Sequence, residues 1–279
     1  MWSVFGSAAI SGLVVFVKIK SSETYAGRSG CITTPDGGAP FHYILNVMNE
    51  LIHEIIPVGM LQCNCHVVGD PGTRDAIVID PGDDAERILK IVERHGLRVS
   101  AIVITHSHID HVVGLQRVHQ ATGAPVYMHG EDLGLYRMLD SQAAWLGWKT
   151  PQTVQVDRLL KEGDIVRWGP YHVQVLHTPG HTKGSICLYM PSDISEIQTD
   201  AAAAVEPVEP RHGKLFAGDT LFAGSIGRTD LWGGSFEEII RSLKGKVLEL
   251  PDDTVVYPGH GHETTIGQER ETNPFLIEN

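Results

Sequence analysis

One seven-residue run constrains this chain more than any other feature. Thr105-His106-Ser107-His108-Ile109-Asp110-His111 begins where the continuous apolar stretch Val99–Thr105 ends, and such a stretch reads as a strand buried on both faces. Four side chains with metal-ligating atoms thus crowd into six positions at the end of a core strand. On an extended loop His106 and His108 point to the same side, while Asp110 and His111 stand at the mouth of the next helix. Imidazoles and a carboxylate packed together out of water need a cation among them, because otherwise they repel protons and lose solvation.

Three further islands share this grammar. His181 lies in Leu176-His177-Thr178-Pro179-Gly180-His181-Thr182, Asp219 in Phe216-Ala217-Gly218-Asp219-Thr220, and His260 in Tyr257-Pro258-Gly259-His260-Gly261. Each follows a predicted strand and a turn containing glycine, so strand ends converging on one edge of a sandwich would bring them together on a rigid scaffold. The chain has fifteen histidines. His95, His119, His129, His177 and His262 lack that setting and read as core or loop residues, and Trp145 and Trp148 as core or pocket wall.

Around these islands the text alternates strands and helices. Ile55–Val58, His66–Val68 and Ala76–Ile79 read as successive strands, and Cys63 and Cys65, flanking Asn64 in an alternating stretch, as partly buried strand residues. Asp83 or Asp84 would cap a helix reaching about His95. A second helix is expected from about Val112 to Thr122, a short strand at Val126–Met128 and a helical patch at Glu131–Leu139. The second half repeats the logic, with strands at Ile165–Trp168, Tyr171–His177, Ser185–Met190, Lys214–Ala217 and Thr254–Tyr257 and a helix at Phe236–Leu243. Between them Ser192–Gly213, rich in Ala, Glu and Pro, has no usable periodicity and reads as an exposed insertion loop. Two sheets with helices on their outer faces is the economical architecture, an α/β (α+β) chain.

Composition sets the outer bounds. Hydrophobic residues at 42% and charged residues at 20% of the 279 suit a soluble core and exclude a polytopic membrane protein. A net charge of −12 argues against nucleic acid and against stable association with an anionic membrane. Four cysteines without a CxxC pair fit a reducing, cytoplasmic setting. Residues 1–47 read as an extension, disordered or weakly apolar: Met1–Val17 carries no charge and Ser21–Pro40 has linker composition. A translation start upstream of a natural one at Met48 is the favoured explanation, ahead of a weak anchor or a targeting segment. The hydrolytic domain would then be 48–279.

Taken together, HxHxDH, then HTPGHT, then GDT, then PGH resembles the metallo-β-lactamase superfamily from about Met48 onward. The resemblance implies an αββα four-layer sandwich and a centre of two divalent metal ions, zinc foremost, with iron or manganese as alternatives. It places His106, His108 and His181 on one metal, Asp110, His111 and His260 on the other, and Asp219 between them. Asp80, in Ile79-Asp80-Pro81-Gly82, matches an early aspartate of the family that orients a ligand histidine. Two such ions can share a water and lower its pKa toward about 7, with Asp219 fixing it for attack and Asp110 as proton acceptor or relay.

The stretch Gly218-Asp219-Thr220-Leu221-Phe222-Ala223-Gly224-Ser225-Ile226-Gly227-Arg228-Thr229-Asp230 and the ending Pro258-Gly259-His260-Gly261-His262-Glu263-Thr264-Thr265 resemble the short bacterial branch of glyoxalase II, the hydroxyacylglutathione hydrolases. By that resemblance the substrate is a small-molecule thioester, S-D-lactoylglutathione or a relative. Arg228 stands where the family places a lysine against a glutathione carboxylate. Persulfide dioxygenases share the fold with a single iron, for which His106, His181 and Asp219 would be the ligands. Their Arg-Gly-Cys-Gly-like turn is here Gly224-Ser225-Ile226-Gly227. Lactone or β-lactam hydrolysis is the remaining alternative.

Overall fold

The computed structural model describes residues 51–192 and 212–277, together with the backbone of four strands nearer the N-terminus. Those four are β1 (Phe5–Ile10), β2 (Leu13–Lys18), β3 (Arg28–Ile32) and β4 (Phe41–Leu45). They pair as two antiparallel hairpins, β1 with β2 and β3 with β4. Strand β3 falls within the stretch whose composition suggests a linker; backbone pairing needs no particular side chain there. Met1–Glu50 forms one compact unit and Leu51–Asn279 another. Most of the expected insertion loop, residues 193–211, lies outside the described residues, as does the rest of 1–50.

The larger unit contains two six-stranded sheets. The first is built from β5 (Ile52–Val58), β6 (Cys63–Gly69), β7 (Asp75–Ile79), β8 (Arg98–Val103), β9 (Val126–His129) and β10 (Arg158–Leu160), adjacent in that order. The second takes β11 (Ile165–Trp168), β12 (Tyr171–His177), β13 (Ile186–Met190) and β14 (Lys214–Gly218), then β17 (Val255–Pro258) and β18 (Thr264–Thr265). The hairpin β15 (Leu221–Phe222) with β16 (Ser225–Ile226) stands apart from it. Helices α1 (Ala85–Arg94), α2 (Leu115–Thr122), α3 (Leu133–Tyr136) and α4 (Leu139–Leu146) belong with the first sheet. Helices α5 (Phe236–Gly245), α6 (Ile266–Thr272) and α7 (Pro274–Ile277) belong with the second.

Three layers of apolar packing fix the order helix, sheet, sheet, helix. Val78 and Ile102 face Ile88, Leu115 and Ala143 on the outer helices. Ile77, Ile79 and Val103 face Trp168, Val175, Leu188 and Phe216 between the sheets. Cys187, Leu215 and Ala217 face Ile239, Leu243 and Ile266. Neighbours such as Ile77 and Val78, or Leu215 and Phe216, thus go to different layers, the period-two alternation of a strand. The central strands β6 and β7 are covered on both faces and are buried almost without a break, whereas β11 and β12 keep an alternating pattern. All seven residues of β6 are buried, which makes Cys63 and Cys65 fully rather than partly buried.

The helix starts need one correction. Asp84 is the N-cap of α1 but its side chain makes no capping bond; it accepts instead from Gly59 N and pairs with Arg87. No helix among the described residues is long and apolar enough to cross a membrane.

Candidate metal centre

Topology brings the four islands to one edge. Strands β12, β14 and β17 run parallel to one another, because β12 and β14 are each antiparallel to β13 and β17 is parallel to β14. Their C-terminal ends therefore deliver His181, Asp219 and His260 to the same side. From the first sheet β8 leads into Thr105 and the extended His108 (φ −68, ψ 145), followed by a single 3-10 turn at Ile109–His111. Backbone bonds stitch the two edges: Ile186 N donates to Thr105 O at 3.0 Å and Asn64 N to Gly259 O at 2.7 Å. The Asn64 side-chain amide adds two more, to the carbonyls of Pro258 and Gly261.

All seven expected side chains meet there. His108 Nδ1 lies 2.8 Å from His181 Nε2, which lies 3.1 Å from His106 Nε2. Opposite them Asp110 Oδ2 is 3.1 Å from His260 Nε2 and 3.7 Å from His111 Nε2. Asp219 stands between the two triads, with Oδ1 3.5 Å from His111 Nε2 and Oδ2 3.6 Å from His181 Nε2 and 3.7 Å from His260 Nε2. The donor atoms of His106, His108 and His181, and of Asp110, His111 and His260, each lie within 4.8 Å of one another.

The outer nitrogens decide what the inner ones offer. His111 Nδ1 faces Asp80 Oδ2 at 3.0 Å, His181 Nδ1 faces the Arg228 carbonyl at 2.8 Å, and His260 Nδ1 faces the Leu61 carbonyl at 2.9 Å. A carbonyl or carboxylate can only accept, so each of these nitrogens carries a proton, and each ring in its neutral, metal-binding form turns its Nε2 lone pair inward. Lone pairs and two carboxylates then converge on the same space. His111 Nε2 and Asp219 Oδ1 are buried without a hydrogen-bond partner. A divalent cation bound by nitrogen and carboxylate oxygen satisfies all of them, so this donor set fits two such ions.

Titration behaviour follows the same split. Burial, helped by the neighbouring His111 and His181, drives His106 well below the usual imidazole range, and burial with His181 lowers His108 to about 3. At His111 burial acts in the same direction but is overcome by Cys63, Asp110, Asp219 and Asp80, leaving the ring well above its ordinary value. Burial raises Asp219, yet His111, His181 and His260 hold it far below the usual carboxylate range. Asp110 is lowered too, burial being outweighed by His111 and His260.

Asp80 also binds the first sheet's loop, accepting from Thr105 N at 2.7 Å and from the Thr105 hydroxyl at 2.6 Å. Two supports gave no signal in the sequence. Asp132, almost fully buried, accepts from Ser107 N, Gly184 N and the Thr182 hydroxyl. Gln142 accepts from Ile109 N and donates to Ser107 O. The second acid of Gly130-Glu131-Asp132 and a helical glutamine look like a cap and a surface residue; only their burial identifies them. Asp132 ties the loop of His106 and His108 to the loop of His181, so Asp132→Ala is expected to weaken metal binding by about 10–100-fold. Chelator competition measures this, and wild-type affinity in the variant would show that the loops hold without it.

Arg228 presents two faces. Its carbonyl sets the His181 ring, whereas its guanidinium is exposed and bidentate to Asp230, at 2.7 Å for both bonds. His177 stacks on His129 with ring centroids 3.8 Å apart, and His262 is exposed. Neither belongs to the convergent groups.

Comparison with known proteins agrees with this geometry. The Metallo-beta-lactamase superfamily profile matches residues 58–194 and 196–260. Over 225 residues the chain is 36% identical to the hydroxyacylglutathione hydrolase GloC of Haemophilus influenzae, covering 80% of this chain and 97% of that protein. Among solved structures, the BLEG-1 B3 metallo-beta-lactamase shares 34% identity at a TM-score of 0.69, covering 81% of this chain and 99% of that one. TTHA1623, solved in a di-iron-bound form, shares 38% at a TM-score of 0.65, with 80% and 100% covered. With its profile matched across both sheets and its relatives aligned nearly end to end, the chain belongs to the metallo-β-lactamase superfamily.

Proposed function

We propose that this protein is a binuclear metal-dependent hydrolase of glutathione thioesters, with S-D-lactoylglutathione or a close relative as substrate. The observation that carries the reading is the convergence of seven donor side chains as two triads with Asp219 between them. The identity with a relative named as a hydroxyacylglutathione hydrolase supports the choice of thioester. We assign His106, His108 and His181 to the first ion and Asp110, His111 and His260 to the second, with Asp219 shared. When bound, such a pair supplies Lewis acidity for a carbonyl and water acidified toward a pKa of about 7.

The chain's own residues do the rest. Asp110, held in its ionised form, is the base, accepting a proton at the carboxylate oxygen left free when Oδ2, turned toward His260 and His111, holds the second ion. Asp80, Arg228 O and Leu61 O keep the His111, His181 and His260 rings in one tautomer and orientation through the cycle. Water adds to the thioester carbonyl, the carbon–sulfur bond breaks, and the products are a carboxylic acid and a free thiol. We assign the Arg228 guanidinium to a substrate carboxylate. Its present partner Asp230 is an exposed carboxylate, and exchanging one exposed partner for another costs little. A small-molecule partner in the cytoplasm, with no nucleic acid or membrane, suits the acidic chain.

Kinetics against glutathione thioesters, lactones, a β-lactam and glutathione persulfide, run beside elemental analysis, test this reading. The expected result is two metal ions per chain and the highest kcat/KM on a glutathione thioester, lost on chelation and restored by metal. One iron per chain with oxygen uptake on persulfide would overturn it in favour of the oxidoreductase.

A further inference from the structure

Two indoles are left over once the metal centre is accounted for. Trp145 on α4 is 59% exposed, an unusual setting for so large an apolar side chain. Its ring meets Trp232 edge to face, with centroids 5.7 Å apart and planes at 83°. Such geometry is a favoured aromatic pairing, so each ring fixes the other.

Both indoles are carried by segments fastened to the ligand loops. On α4, Gln142 stands three residues before Trp145 and binds Ile109 N and Ser107 O, the backbone between the ligands His106, His108 and Asp110. Trp232 occupies a tight turn closed by Gly234 N donating to Leu231 O at 2.9 Å, with Gly233 at φ 82 in the left-handed region. Both feet of that turn are tied beside His181: the Arg228 carbonyl receives His181 Nδ1, and Ser235 N donates to Gly180 O at 2.8 Å. The packing is close, since a Cβ on Gly234 would fall 2.3 Å from Thr229 O. The Trp pair therefore joins the segment that braces the first ligand loop to the segment that braces the second.

We propose that Trp145 and Trp232 form the specificity wall of the site, receiving an apolar acyl group larger than lactoyl. The proposal rests on the thioesterase reading and extends its substrate class beyond the lactoyl ester to glutathione thioesters of medium-length or aromatic acids. Each methylene laid against an apolar wall improves selectivity, and a rigid aromatic pair gains contact at little entropic cost.

The test compares acetylglutathione with hexanoylglutathione on the metal-loaded full chain. Wild type is expected to favour the hexanoyl ester in kcat/KM by about tenfold or more. Trp145→Ala and Trp232→Ala should each remove most of that preference, while Trp145→Phe, which keeps an aromatic edge, retains it. Independently of turnover, S-hexylglutathione should quench the indole fluorescence of the metal-free protein and glutathione should not, with the quench reduced in either alanine variant. An unchanged hexanoyl-to-acetyl ratio in both alanine variants overturns the wall while leaving the thioesterase intact. If neither ester is hydrolysed, the thioesterase reading fails, and the fluorescence titration then decides the wall alone: equal response to S-hexylglutathione and glutathione overturns it.

Discussion

Asp219→Ala is expected to lower thioesterase turnover by about three decades or more, roughly 4 kcal/mol of barrier, in a protein that still folds. Asp219 lies within 3.7 Å of donor nitrogens from both triads, reaching His181 on one side and His111 and His260 on the other. Its removal takes an anion from the ligand set of each proposed ion. The fold asks little of it: its Oδ1 has no hydrogen-bond partner, and the ion-pair neighbours of the carboxylate are the imidazoles themselves. Steady-state kinetics, metal content and a far-UV thermal melt separate the outcomes. Turnover near wild type would mean that Asp219 is not shared between ions. Loss of a cooperative melt would mean that the carboxylate is part of the scaffold.

That separation of site from scaffold explains what could be read in the sequence. The donor residues were legible because each island pairs a strand with a glycine turn, and strands of one sense in a sheet end on one edge. Strands such as Ile165–Trp168 and Tyr171–His177 follow their alternation to the residue. The bracing was not legible. Asp132 and Gln142 act through burial against loops distant in sequence, and no local period marks such a residue. Helix α4 and the final helices α6 and α7 were missed for a related reason. They are short, and α4 is weakly amphipathic, so packing decides them more than propensity does. The second helix begins at Leu115 rather than Val112 because residues 112–114 form a turn between the ligand turn Ile109–His111 and the helix, with Gly114 as its N-cap. Arg228 shows the same limit: its charge suggested a role for the guanidinium, while its carbonyl, which any residue supplies, holds His181.

Gly259→Ala is the second substitution with a large expected effect, although it removes no donor atom. A Cβ at this position would fall 2.1 Å from Asp219 Oδ1 and 2.9 Å from His111 Cε1. The backbone has no freedom to withdraw: Gly259 N donates to Gly218 O at 2.7 Å, and Gly259 O accepts from Asn64 N at 2.7 Å, so the residue is pinned to both sheets. The atoms that must yield are therefore Asp219 and His111, one from the shared position and one from the second triad. We expect about a hundredfold or greater loss in kcat/KM, on the scale of displacing a reacting group by an ångström, together with weaker binding of the second metal. Gly261→Ala is the matched control. Gly261 has φ 79, so alanine there carries left-handed strain of about 1 kcal/mol or more, but its Cβ meets nothing within 4 Å. It should lower the melting temperature and leave kcat/KM within a small factor of wild type. If Gly259→Ala instead behaves like Gly261→Ala, the crowding around Asp219 is not what positions it, and the shared carboxylate has more room than this geometry gives it.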